Sequence, residues 1–170
     1  MKKITRQHAI EMYKNLGAMA LGYLDEVTLS SVLDNFNKFK SVQEEFQNLS
    51  QELSKRLYEG KDEAQKETFF TLVSKLEQET DLTKRLEIEK EMKEHSEFYD
   101  LYIKQLKVLS QLFFKEIELD ITEVDKEAFI KGVLKGKKDA CINEMLIFFA
   151  PMFKVEESKE NNFSELDELL

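Results

Sequence analysis

Helix-interrupting residues are almost missing from this chain, which has one Pro and five Gly in 170 residues. Tight turns are therefore few, and long helices are favoured. Cysteine is nearly absent too. The lone Cys141 excludes an intrachain disulfide and fits a reducing compartment. Between Ala140 and Ile142 it reads as a buried structural thiol rather than a reactive one. Only two histidines occur, His8 and His95, and a zinc site needs more Cys or His donors than these supply. The longest apolar stretches, residues 16–24 and 145–149, fall far short of the ~20 residues that cross a bilayer. No secretory pattern opens the sequence, because Met1-Lys2-Lys3 runs into polar Thr5-Arg6-Gln7-His8. A cytoplasmic protein is expected.

What the chain does have is charge. Charged residues make up 35% of it, and 34 acidic residues against 25 basic ones leave a net charge of −9. Phosphate-backbone binding draws on clustered Lys and Arg that release counterions, so this balance argues against nucleic acid. It argues equally against an anionic membrane surface. A protein partner remains, and so does imitation of a nucleic acid's charge.

The hydrophobic periodicity reads as helix along most of the chain. A first helix opens near Thr5, a good cap residue, and runs to about Leu24, with Ile10, Tyr13, Leu16, Ala20 and Leu24 on one face. A second helix, from Thr28–Ser31 to near Gly60, places Leu29, Val32, Phe36, Phe39, Val42, Phe46, Leu49, Leu53 and Leu57 at steps of three and four. That is close to the heptad of a coiled-coil seam, widened by Phe toward a multi-helix bundle. Asp62 caps a shorter helix, and Glu79-Thr80-Asp81 reads as a corner. A third long helix carries Ile88, Met92, His95, Tyr99, Tyr102, Leu106, Leu109 and Phe113 in register. Two long helices of matching length, joined by a short one, imply an antiparallel hairpin.

The period then changes. Residues 116–121, EIELDI, alternate acidic and apolar strictly, which is a strand signal. A lone strand needs a partner for its backbone. Residues 145–149 are the candidate within the chain, and a second copy is the other; 143–149 reads equally as a short helix or a buried strand. Asp125 caps a short helix ended near Gly136. From Lys154 onward two lysines face six acids, a composition that reads as disordered. Phe163, Leu166 and Leu170 would still share one face of a terminal turn. The expected fold is mainly α, a long antiparallel helical hairpin or bundle with a small C-terminal α+β element. Four regions follow: 1–24, an N-terminal helix packed on the bundle; 25–115, the hairpin with its connecting helix; 116–153, a strand and helix module; and 154–170, the acidic tail.

A search for chemistry yields no catalytic residue, no cofactor site and no metal site. Gly17 and Gly22 have the spacing that begins a phosphate loop, but Tyr23 and Leu24 stand where Lys and Ser/Thr are required. A di-iron bundle needs Glu-x-x-His units, and Met92 occupies the acid's place before His95. No G-x-S-x-G turn is present, and Cys141 has no histidine nearby in sequence. His95 is the most unusual residue, a seam position between Met92 and Tyr99; a packed ring is the bland reading, and a pH-sensitive element beside Glu91 and Glu94 is the sharper one. Lys131, Lys135, Lys137 and Lys138 form the basic cluster, read as cations at a helix C-terminus or as a contact for an acidic partner.

The run FFKEIELDITEVDKEAFIKGVL, residues 113–134, resembles a family of small uncharacterised phage and prophage proteins, in which a long helical region also runs into an acidic-apolar extended segment and a short helix. The likeness covers roughly the C-terminal third. It implies a phage origin, an accessory or assembly role, and residence in the host cytoplasm or the virion; it brings no catalytic residues. The expected function is non-catalytic protein binding, with a homo-oligomer as one form of it. Partner contacts are expected at Ile117, Leu119 and Ile121 on the strand and at Phe163, Leu166 and Leu170 in the tail. An inhibitor of a host defence or regulatory complex and a small-ligand bundle or unusual enzyme are the alternatives.

Overall fold

Carboxylates and a hydroxyl set where most of the helices begin. In a computed structural model, which describes residues 1–136 and 142–154, strand β1 (Lys2–Thr5) enters helix α1 (Arg6–Ala18), followed by a 3-10 turn at Leu21–Tyr23. Helices α2 (Glu26–Tyr58), α3 (Glu63–Gln78), α4 (Leu82–Glu94) and α5 (Ser96–Phe113) come next. Strand β2 (Glu116–Leu119), helices α6 (Lys126–Gly136) and α7 (Ile142–Phe148) and a 3-10 turn at Ala150–Met152 complete the order. The Thr5 hydroxyl accepts from the His8 N–H at 3.2 Å. Asp25, Asp62, Asp81 and Asp125 accept from the N–H groups of Thr28, Gln65, Lys84 and Ala128 at 2.8–3.0 Å. Each satisfies a first-turn donor that the helix itself leaves unpaired. The α2–α3 junction falls at Gly60, whose φ of +73° is a left-handed conformation that suits glycine. The fold is mainly helical, with one two-stranded antiparallel sheet, β1 on β2, among the described residues.

The described residues form two compact units. These cut across the four consecutive regions read from sequence, because α1 and α2 each pass from one unit to the other. The first unit comprises Met1–Ile4, Glu11–Lys40 and the described residues from Glu118 onward. Its core includes the buried Met12, Leu16, Val32, Phe39, Phe129 and Met152. Phe129 packs its ring 5.6 Å from both Phe149 and Phe153. Asn35 is fully buried and closes a pair of 2.7 Å hydrogen bonds with Thr122, its amide donating to the carbonyl and its oxygen accepting from the N–H. Val124 donates to the Met152 carbonyl at 2.8 Å, and the Lys2 ammonium donates to the carbonyls of Pro151 and Phe153. The chain near Lys154 is thus tied down from two directions.

The second unit comprises Thr5–Ile10 and Ser41–Ile117. One end is a cluster of Tyr58, Phe69, Leu72, Val73, Met92 and Phe98 drawn from α2, α3, α4 and α5. Arg85 donates to the carbonyls of Leu76 and Glu79, closing the C-terminus of α3. Further along, Phe46 of α2 meets Phe113 of α5 with ring centres 5.4 Å apart. The buried Arg6 donates to the Leu112 carbonyl at 2.7 Å and to Glu45 at 3.1 Å. Aromatic rings of α2 and α5 thus meet at two places, Tyr58 with Phe98 and Phe46 with Phe113.

Three expectations need correction. The third long helix is two helices, α4 and α5, broken at His95, whose φ of −89° and ψ of 55° are not helical; α2, at 33 residues, has no partner of equal length in α5, at 18. The partner of β2 is β1 rather than residues 145–149, most of which lie in α7. The first helix stops at Ala18 and is replaced by a 3-10 turn before Leu24.

Candidate functional site

α5 is more apolar than its place in the fold requires. Plotted at about 100° per residue, its apolar side chains cover an arc of roughly 240°. The inward part of that arc carries Phe98, Leu101, Tyr102, Val108, Leu109 and Leu112, all buried or half-buried. Gln105 lies in the same part and accepts a 3.2 Å hydrogen bond from the Tyr58 hydroxyl. Burial pushes the Tyr58 phenol up to about 12, with Tyr102 adding to the shift, so the phenol stays protonated and donates. The outward part carries Ile103 and Leu106, with the half-buried Tyr99, which packs against the cluster of Tyr58, Phe69 and Phe98, at its edge and Phe114 just past the helix end. Ile103 and Leu106 are each 45% exposed and Phe114 is 57% exposed. Single exposed apolar residues are ordinary on a protein surface; here Ile103 and Leu106 stand together, about one turn apart, on the solvent side of α5.

A second feature lies in the first unit, an open cavity of about 440 Å³ whose lining includes Tyr23, Asp25, Asp125, Glu127, Lys131 and Lys135. Asp25 sits at the start of α2, and its carboxyl is held below the usual carboxylate range, first by the Thr28 N–H and then by the Thr28 hydroxyl. Lys131 and Lys135 stand one turn apart on α6, both exposed. The wall of the cavity depends on Gly132, where a Cβ would lie 2.4 Å from a Leu24 methyl and 3.2 Å from the Tyr23 carbonyl. The 3-10 turn therefore lies directly on α6. The lining offers charges of both signs and a phenol. Among the described residues, no three His, Cys, Asp or Glu side chains converge to hold a metal ion.

The residues singled out from sequence fare unevenly. Ile117 and Leu119 are half-buried on β2, while Glu116 and Glu118 face outward and Glu118 lies 3.7 Å from the Lys3 ammonium. Ile121 is only 6% exposed, so it belongs to the core and is withdrawn as a contact residue. Phe163, Leu166, Leu170, Cys141, Lys137 and Lys138 lie outside the described residues. His95 is half-buried at the α4–α5 break, its ring set edgewise 6.4 Å from Phe69. The α5 row and the cavity were both missed. A wheel drawn for residues 98–114 alone would have shown the excess apolar arc; the cavity brings together residues about a hundred apart in sequence and left no local signal. Among the described residues, no helix is long and apolar enough to cross a membrane. Comparison with known protein families, with curated proteins and with solved structures found no match to this chain.

Proposed function

We propose that this chain is a non-catalytic protein-binding module, an accessory or assembly factor of phage origin, that engages its partner through the outward row of α5. The observation that carries the reading is the exposure of Ile103 and Leu106 on a helix whose remaining apolar face is covered. The resemblance of residues 113–134 to phage proteins supports the origin. Within the inhibitor alternative, imitation of DNA charge is disfavoured, because opposite signs alternate along the helices, as in Asp34–Lys38, Glu52–Arg56 and Glu63–Lys66. The test is retrieval by the full chain from host lysate together with its mass in solution. Stable capture of one protein or self-association, abolished by Leu106→Glu, is the expected outcome. A strict monomer that retrieves nothing would sink the reading.

The cavity favours a second reading, a small-ligand protein. Lys131 and Lys135 would hold an anionic group and Tyr23 would cover its apolar part. Calorimetry with small dicarboxylates and phosphates tests it, with Lys131→Glu as the control that abolishes any heat.

A further inference from the structure

The charges beside the outward row of α5 point to what covers it. Asp100 and Lys107 are both exposed and, seven residues apart, fall on the same edge of the row at about 100–120° from Leu106. Tyr99, Ile103, Leu106 and Ser110 follow steps of four, three and four, a short heptad row. Such a row with one acid and one base on a single rim is complementary to itself in only one direction. When two copies pack antiparallel about a two-fold axis between residues 103 and 106, the same rim of each helix faces its counterpart. Tyr99 then lies level with Ser110 of the other copy, and Ile103 with its Leu106. Asp100 comes within two residues, or about 3 Å along the axis, of the other copy's Lys107. Both ion pairs form reciprocally. In a parallel pairing this rim would face the opposite rim, and neither pair would form.

We infer that the outward row of α5 is a self-association surface on which a second copy of this chain docks antiparallel, registered by reciprocal Asp100–Lys107 ion pairs. This rests on the proposed reading of the row as a protein-binding face and names its occupant. Isologous two-fold contacts of this kind are the commonest route to a soluble dimer. The surface is small, so the dimer forms and separates with concentration rather than being permanent.

The experiment is sedimentation velocity of the full chain over a wide concentration range, comparing the native sequence with Asp100→Lys, Lys107→Asp and an equimolar mixture of the two variants. The native chain is expected to reach a dimer. Each variant alone replaces two attractions with two repulsions and weakens the dimer by about tenfold to thirtyfold. The mixture restores association, because one copy then presents two lysines and the other two aspartates. Both substitutions are on exposed positions, and an unchanged far-UV circular dichroism spectrum confirms that the variants fold. A native chain that stays monomeric throughout, or a mixture no more associated than either variant alone, overturns the inference. Capture of a different protein that Leu106→Glu abolishes, from a chain that never dimerises, overturns self-pairing while upholding the protein-binding reading.

Discussion

Replacing Gly132 with alanine sets two effects of opposite sign against each other in the first unit. In the interior of a helix, Gly→Ala ordinarily stabilises by up to about 1 kcal/mol, because alanine has less backbone freedom to lose. At Gly132 the new Cβ would meet the Leu24 methyl at 2.4 Å, the Leu24 Cα at 3.1 Å and the Tyr23 carbonyl at 3.2 Å. The methyl can rotate away, but the other two contacts are backbone, so the 3-10 turn itself must shift. Forcing an extra methyl group into a packed site costs about 1–3 kcal/mol, which exceeds the propensity gain. A net loss of ~1–2 kcal/mol is expected, or about 3–8 °C in Tm for a chain of this size. Gly17→Ala supplies the comparison. There the nearest atom to the new Cβ is a Phe36 ring carbon at 3.5 Å, an ordinary contact. With nothing to displace, the helical gain survives, and Tm should rise by about 1–2 °C. Thermal melts of both variants by circular dichroism, supported by urea titrations, decide it. A Gly132→Ala protein as stable as the parent would refute the close packing of the turn on α6, and a destabilised Gly17→Ala protein would refute the argument that the Phe36 contact is an ordinary one.

Asn35→Leu should cost about 2–3 kcal/mol, because it leaves the Thr122 N–H and carbonyl without the amide that pairs both; a urea midpoint unchanged from the parent would contradict this. The carboxyls of Asp25, Asp34 and Glu52 are held low by hydrogen bonds from Thr28, Lys38 and Arg56 respectively. Their contribution is present above the unfolded carboxylate range near pH ~4 and is lost as pH falls through the lower folded values. The urea midpoint should therefore drop on acidification below that range, and Asp25→Asn should flatten part of the drop. At the other extreme, the raised Tyr58 phenol contributes stability that is full below pH ~10 and fades as pH rises toward about 12; Tyr58→Phe should remove this alkaline loss, and a melt series from pH 9 to 12 checks it. Ser110→Leu extends the apolar row of α5 and should tighten self-association severalfold in the same sedimentation experiment, with no change in Tm beyond ~2 °C.

The legible parts of this fold were those in which local chemistry and pattern agree. Asp62, Asp125 and Gly60 marked helix ends because a cap or a left-handed turn is decided by a few neighbouring atoms. The apolar rows that hold Phe46 and Phe113 were legible as helix faces, but that these two rings meet was not, because which turn of one helix faces which turn of another is a long-range matter. His95 was misread because the apolar steps of four and three pass through it without a Gly or Pro, and only its backbone angles carry the break. The partner of β2 escaped because Lys2–Thr5 is too short for periodicity to show, and which strand pairs with which is a long-range matter. α5 is apolar on both sides, so the pattern that identified a helix could not say which side would be covered. The structure turns Phe98, Gln105 and Leu112 inward and leaves Leu106 outside, where the sequence had placed Leu106 in the seam.

The most direct measurement places a photo-crosslinking phenylalanine analogue at position 106 of the full chain, or at position 104 on the polar side of the same helix, and irradiates each under native conditions. A covalent protein adduct from position 106, with none from position 104, is the predicted result. Equal labelling at both positions, or no adduct at 106 at any concentration, would mean that solvent covers the outward row of α5 and that the chain does not work through that face.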